Sequence, residues 1–178
     1  GDIALNGTTT ARDGDIQIAL GTATKDGITV SGNLVANNDV NISSTKGNIL
    51  ITGDITAEND ILAKVETGNI NITGNTIGTN NVALNTTDGN ITVKGDTEAT
   101  TGNATIVTAE KGNINVVGNL TSGKDTIIAT NKIGDITLND HYIIEKEVRD
   151  LLEPVYDGEH YTSPYLYFKN IRSSRKHF

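Results

Sequence analysis

The chain has 178 residues and a formal net charge of −8, with 19 Gly, seven aromatic residues and no Cys, Met or Trp. The lack of cysteine excludes a disulfide scaffold, thiolate metal sites and cysteine catalysis, and the negative charge argues against a nucleic-acid partner. No apolar run approaches the roughly 18 residues of a membrane span, and the first residues show no signal peptide. We therefore expect a chain that does not span a membrane. Because it begins in mid-pattern at Gly1, we also expect it to be a piece of a longer protein.

Residues 1–140 repeat one short motif. The segment GNILITGD at 47–54 recurs as GNINITGN at 68–75, as GNITVKGD at 89–96 and as GNINVVGN at 112–119. Weaker copies begin at 1, 26 and 134, so the spacings are 25, 21, 21, 21, 23 and 22 residues. A nearly constant period of this length is typical of a stacked repeat architecture.

Each repeat divides into three short strand-like pieces separated by Gly, Asn or Asp corners. Apolar or small residues recur two positions apart in every piece, which is the period of a β-strand. One unit has too few apolar residues to bury a face alone, whereas stacked units share a continuous core. The pattern predicts an all-β fold, a parallel β-helix over 1–140 with about 21 residues per coil and six to seven coils.

The corner residues form two predicted ladders along the stack. Asn and Asp side chains at equal positions can hydrogen-bond from one coil to the next. The first ladder contains Asn48, Asn69, Asn90, Asn113 and Asp135, and the second contains Asn33, Asp54, Asn75, Asp96 and Asn119. The Gly before each corner residue is expected to have a positive φ or to permit close approach of the coils.

Residues 141–178 are a different kind of polypeptide, because they contain all seven aromatic residues, both prolines and all three histidines. We expect a small C-terminal cap of α/β or irregular structure, or a junction to a following module. Ile144, Val148, Leu151 and Val155 have helical spacing, which Pro154 ends or kinks, and 165–168 is a strand or an aromatic plug. The candidate cap residues are Tyr142, Tyr156, Tyr161, Tyr165, Tyr167 and Phe168.

The tandem GNIxIxGN motifs resemble the shaft repeats of filamentous haemagglutinin-like adhesins, which Gram-negative bacteria export by two-partner secretion. The resemblance covers 1–140 and implies a right-handed β-helical shaft, secreted to the outer cell surface, that serves cell adhesion. The implied partners are a host or bacterial surface receptor or glycan and, during secretion, an outer-membrane transporter. The Asn-Pro-Asn motifs of the family's secretion domain are absent, and 141–178 matches no family motif.

Two other functions stay open at this point. A carbohydrate-active β-helix enzyme or a tailspike-like polysaccharide-binding module needs clustered carboxylates beside a cleft. Here the acids lie at corners, and Arg12, near Asp13 and Asp15, is the only arginine of 1–140. We therefore predict no enzyme, no catalytic residue and no cofactor. The second alternative makes 141–178 a partner-binding or toxin-linking segment.

Metal and modification sites find little support. Corner carboxylates suit calcium, but the calcium-binding nonapeptide is absent, and His141, His160 and His177 lack paired-ligand spacing. We predict no metal site.

An ice-binding array of outward threonines is interrupted by Leu50, Lys94 and Val117. Glycosylation sequons, which Asn- and Thr-rich repeats also create by chance, begin at Asn6, Asn41, Asn71, Asn85, Asn90, Asn103 and Asn119.

The outward side of the third piece contains a candidate contact stripe, formed by Leu62, Val107 and Ile127. An exposed apolar patch often marks a binding surface. The alternative is that the aromatic tail folds back and covers this stripe, and the sequence favours neither.

Overall fold

The computed structural model describes residues 1–130 and 133–139, together with the backbone of three short strands further along the chain. Every regular element in these residues is a β-strand. In chain order the strands are β1 (Ile3–Asn6), β2 (Thr9–Ala11), β3 (Ile16–Ser31), β4 (Leu34–Ala36), β5 (Val40–Thr52), β6 (Ile55–Ala57), β7 (Ile61–Thr67), β8 (Ile70–Thr73), β9 (Thr76–Gly78), β10 (Val82–Asp88), β11 (Ile91–Lys94), β12 (Thr97–Ala99), β13 (Ala104–Lys111), β14 (Ile114–Val117), β15 (Leu120–Ser122), β16 (Asp125–Thr130), β17 (Ile136–Asn139), β18 (Val148–Arg149), β19 (His160–Tyr161) and β20 (Tyr165–Lys169).

The strands form a parallel β-solenoid of about six turns, as the repeat predicts. Each coil contributes one strand to each of three faces. Face 1 consists of β1, residues 28–31 of β3, residues 49–52 of β5, β8, β11, β14 and β17. Face 2 consists of β2, β4, β6, β9, β12 and β15. Face 3 consists of residues 16–20 of β3, residues 40–44 of β5, β7, β10, β13 and β16.

The strand register confirms the predicted starts of the coils. On face 1 the first isoleucine of every coil pairs with that of the next coil, through Ile3, Ile28, Ile49, Ile70, Ile91, Ile114 and Ile136. On face 2 the paired series is Leu34, Ile55, Thr76, Thr97 and Leu120. Equivalent positions of neighbouring coils therefore lie one strand spacing apart, roughly 4.8 Å.

Inward residues of the three faces form one continuous core. Ile49, Ile70 and Ile91 on face 1 are fully buried, as are Leu84 and Ile106 on face 3. Branched aliphatic side chains suit this position, because they pack well on a pleated surface that is buried on one side.

Face 3 has one more inward column than the sequence predicts, and it is largely polar. Thr86 and Thr108 are buried there, and their hydroxyls donate to the carbonyl oxygens of Gly89 at 2.9 Å and of Gly112 at 3.2 Å. On face 2, by contrast, Thr76 and Thr97 are fully buried and their hydroxyls have no hydrogen-bond partner. The same residue type thus occupies two kinds of core position.

Antiparallel strands bound the C-terminal end of the solenoid. β20 pairs with β16, which confirms a strand at 165–168, and β19 pairs with β17. The helix expected through Val148 is wrong at the two positions described there, because Val148 and Arg149 form β18 and pair with the open edge of β20. Ile144, Leu151 and Val155 lie outside the described residues. The division of the chain at residue 140 stays a prediction.

Candidate corner ladders and contact surfaces

The first ladder joins coils at the corner between faces 3 and 1. At each step the side-chain Oδ1 of one coil accepts the backbone N–H of the corner residue in the next coil. Asn48 accepts from Asn69 at 2.9 Å, Asn69 from Asn90 at 2.8 Å, and Asn90 from Asn113 at 2.8 Å. The last step runs from the N–H of Asp135 to Asn113 at 2.9 Å.

The second ladder has the same geometry at the corner between faces 1 and 2. Asn33 accepts the N–H of Asp54 at 2.9 Å, and Asp54 accepts that of Asn75 at 2.8 Å. The series continues through Asp96 to Asn119, each step at 2.9 Å. Every one of these steps needs only a carbonyl or carboxylate oxygen, so Asn and Asp serve equally well. This explains why both residue types occur at one position of the repeat.

A third ladder, which the sequence analysis did not identify, lies between faces 2 and 3. Its members are Asp15, Asp39, Asp60, Asn81, Asn103 and Asp125, and each step again joins Oδ1 to a backbone N–H, at 2.9–3.2 Å. The signal was present, since an Asp or Asn directly precedes every third piece of the repeat. The signal is less distinct than that of the first two ladders, because Gly precedes only Asp15 and Asn103 in this series.

The third ladder stacks three carboxylates without an intervening amide. Like charges at one strand spacing repel each other, yet Asp15, Asp39 and Asp60 occupy successive coils. Neighbouring amides offset part of this cost, because Nδ2 of Asn38 donates to Asp15 at 2.6 Å and Nδ2 of Asn59 donates to Asp39 at 2.8 Å. The column is therefore a hydrogen-bonded structural element that still carries excess negative charge.

Glycine is required at the corners of the first two ladders. Gly53 has φ of 145°, in the region that side-chain-bearing residues rarely adopt. A Cβ at Gly53 would also overlap the carbonyl oxygen of Gly32 in the preceding coil, and the same overlap occurs between Gly89 and Gly68. Both expectations for these glycines, positive φ and close coil approach, are met together.

Asp2 holds the longest corner of the solenoid. Between Thr22 and Gly27 the chain has extra residues opposite β5, and Oδ1 of Asp2 accepts N–H groups from Thr24 at 3.0 Å, Lys25 at 3.1 Å and Gly27 at 3.0 Å. These hydrogen bonds, that of Gly27 foremost, lower the pKa of Asp2 below the ordinary aspartate value because they favour the ionised carboxylate.

The candidate contact stripe lies on the outer side of face 3. Leu62, Val107 and Ile127 are each half-buried there, and they do not form one continuous column. Leu62 and Ile127 share a column whose middle positions are Ala83 and Thr105, whereas Val107 lies in the next column. Whether they contact a partner stays a prediction. The tail strand β20 extends face 3 beyond β16 and lies between β16 and β18, with Tyr167 paired to Ile127.

The large hydrophobic residues that are most exposed in the described part of the chain lie elsewhere. Ile133 is 72% exposed, and Leu50 on face 1 and Ile77 on face 2 are 41% and 36% exposed. Ile133 borders an open depression at the corner between faces 3 and 1, which also contains Asp88 and Lys111, joined by a 3.2 Å ion pair. The depression carries both charge signs.

The remaining candidate residues are not brought together. Among residues 1–130 and 133–139, no three His, Cys, Asp or Glu side chains are placed to hold a metal ion. Arg12, Asp13 and Asp15 lie at the first face 2–face 3 corner. Tyr161 belongs to β19, and Tyr165, Tyr167 and Phe168 belong to β20, whereas Tyr142, Tyr156, His141 and His177 lie outside the described residues.

Within the part of the chain that the structure describes, no helix has the length and apolar character needed to cross a membrane. No family model, no curated protein and no solved structure matches the chain.

Proposed function

We propose that the chain is a structural and adhesive module of a large secreted bacterial surface protein, in which the solenoid serves as a rigid shaft for cell attachment. The single observation that carries this proposal is the continuous axial bonding along the three corners, from Asn48, Asn33 and Asp15 onward. From these residues on, each coil is joined to the next by parallel backbone pairing on the three faces and by side-chain oxygens at the corners between them.

This construction suits a rod. Bending the stack in any direction opens coil contacts on one side, and each side has both sheet hydrogen bonds and a corner ladder to resist it. The ladders continue through coils of different length, since the steps from Asn90 to Asn113 and from Asn81 to Asn103 cross the longer fifth coil unchanged. A stiff scaffold with repeated Thr, Ser and Asn on its outer face 1 presents many equal polar sites to a partner.

The motif resemblance supplies the setting of the proposal. In the proposal, the module lies on the outer surface of a Gram-negative bacterium, is exported through an outer-membrane transporter, and has a surface receptor or glycan of a host or bacterial cell as its partner. In this setting the module performs no catalysis, and the half-buried apolar positions of face 3 are its candidate contact.

Attachment of beads coated with the full chain to epithelial and bacterial cells tests the adhesive role. We expect saturable attachment that soluble chain competes away. The triple variant Leu62→Lys, Val107→Lys and Ile127→Lys should reduce it, whereas a matched control with Thr29→Lys, Asn71→Lys and Thr92→Lys on face 1 should not. Absence of attachment to every cell type would contradict adhesion. If the chain turns over an acidic polysaccharide and changing a corner aspartate such as Asp39 abolishes this turnover, the carbohydrate-active enzyme would replace adhesion as the function.

A further inference from the structure

The three short strands β18, β19 and β20 reverse the direction of pairing at the C-terminal end of the solenoid. On face 3, β20 runs antiparallel to β16, from Lys169 opposite Asp125 to Tyr165 opposite Ala129, and β18 pairs with the other side of β20. On face 1, β19 runs antiparallel to β17. The coil-to-coil pairs that lead up to these strands are parallel. The chain therefore turns back on itself where the stack of coils ends.

The core is closed at this end. Ile128 on β16 and Ile136 on β17 are fully buried, and Leu138 is 6% exposed. By contrast, Ile3 and Leu5 lie on β1, which pairs only with β3, and they are only partly buried. The difference shows that the last coil has a covering layer on its outer side.

The edges under this layer are of the kind that recruits another strand. β16 has six residues and β17 has four, neither contains Pro or Gly, and Asp125 is the one charged residue in the two strands. A regular, weakly charged edge presents its unpaired backbone groups as a template for another chain. Without β19 and β20, both edges would be exposed.

The strands that become outermost are poor templates. β18 and β19 stand at the two ends of the large sheet, they have two residues each, and β18 includes Arg149. Very short edge strands and charged residues are means by which natural sheets avoid pairing with other chains. The tail thus exchanges edges of six and four residues for edges of two.

We propose that the outer edges of β16 and β17 are a self-association surface that β19 and β20 keep closed, and that a second copy of this chain occupies the surface once it opens. A two-fold axis sets β16 of one copy antiparallel to β16 of the other, which is the direction in which this edge accepts β20. The same axis sets β17 opposite the outer edge of β15, where no strand of the described chain lies. Because the interface is isologous, association stops at a dimer.

Breaking β20 in the full chain tests the proposal. Successive N–H groups of a strand point to opposite neighbours, so Leu166→Pro together with Tyr167→Pro removes one donor that faces β16. Sedimentation over a concentration series should show dimerisation at least about tenfold tighter than in a matched control, Ser173→Pro with Ser174→Pro, which lies beyond β20. A variant that keeps its β-sheet circular dichroism and stays monomeric at every concentration would overturn the proposal. Growth beyond a dimer would also overturn it.

An engineered disulfide tests the same surface by holding it closed. Ile127 and Tyr167 are directly paired, and the Cα atoms of such a pair lie about 4.5–5.5 Å apart, within the range of a disulfide. Since the chain has no cysteine, Ile127→Cys with Tyr167→Cys can form only this bond within one copy. On warming below the unfolding midpoint, the reduced form should dimerise at least about tenfold more tightly than the oxidised monomer. Equal association of the two forms would overturn the proposal, even if the double-proline variant does not fold.

Discussion

Thr97 and Thr86 offer one substitution with two opposite expected results. Thr97 lies on β12 of face 2, paired with Thr76 and Leu120, and its hydroxyl is fully buried without a partner. Thr86 lies on β10 of face 3, and its buried hydroxyl donates to Gly89. Valine has nearly the same shape as threonine, so Thr→Val at either position removes the hydroxyl with little change in packing.

The sign of each effect follows from what the hydroxyl does. A buried polar group left without a hydrogen bond costs about 1–3 kcal/mol, and the methyl group that replaces it adds apolar burial worth roughly 0.8 kcal/mol. Thr97→Val should therefore raise the free energy of unfolding by about 2–4 kcal/mol. Thr86→Val loses its hydrogen bond, worth about 0.5–1.5 kcal/mol, and leaves the Gly89 carbonyl without that donor. It should lower the free energy of unfolding by about 1 kcal/mol.

Thermal unfolding of the two variants beside the parent chain measures both effects. For a chain of this size, 1 kcal/mol corresponds to about 2–4 °C in Tm, so we expect Thr97→Val to unfold several degrees above the parent and Thr86→Val a few degrees below. The structural reasoning would be refuted if both variants shifted in the same direction by similar amounts. That result would mean that hydroxyl partners do not distinguish the two core columns.

Three further perturbations test the corners. Asp39→Asn should raise the free energy of unfolding by about 0.5 kcal/mol at low salt, because it keeps the ladder oxygen and removes a charge between Asp15 and Asp60. Asp39→Ala should lower the free energy of unfolding, because it removes the ladder oxygen. Denaturant titrations at low salt and at 1 M salt measure both effects, and an Asp39→Asn gain that did not shrink with salt would contradict the charge argument. Gly53→Ala should lower the free energy of unfolding by at least about 3 kcal/mol or prevent folding, because of its positive φ and the overlap with the preceding coil. The control Gly14→Ala, which has open space around it, should leave stability nearly unchanged. Similar unfolding midpoints for the two variants would contradict the close approach of the coils at Gly53. Since the pKa of Asp2 is lowered in the folded chain, its stabilisation is present above the ordinary aspartate pKa and is lost as the pH falls through the lowered value. Amide exchange across Thr24–Gly27, corrected for intrinsic rates, should therefore rise in strongly acidic solution, and an unchanged protection there would refute the role of the carboxylate.

The coil architecture could be predicted because its signals are local. A Gly-Asn-Ile start recurs at nearly fixed spacing, and two-residue alternation defines what faces inward, so the starts of all the coils and the pairing of face 1 follow from the sequence. The first two ladders follow as well, because their Asn or Asp stands beside a glycine with its own steric requirement.

Other features depend on contacts that a single repeat does not reveal. The third ladder looks like ordinary turn chemistry until the coils are stacked, and Asn38 and Asn59 matter only because stacked carboxylates need donors beside them. The sequence predicts side-chain hydrogen bonds from one coil to the next but does not identify their donor, which at every step is the backbone N–H of the next coil. The helical spacing around Val148 gave the wrong element because the edge of β20, which is distant in sequence, provides backbone pairing.

Stretching single molecules tests most directly the central claim that the chain is a stack of equivalent coils tied at three corners. The absence of native cysteine allows attachment through Ala4→Cys and Thr121→Cys, at exposed positions in the first coil and on β15. We predict a series of separate force peaks spaced by about 70 Å, the extended length of one coil of 21 residues. Release of the whole stack in one step, or smooth extension without peaks, would contradict the claim.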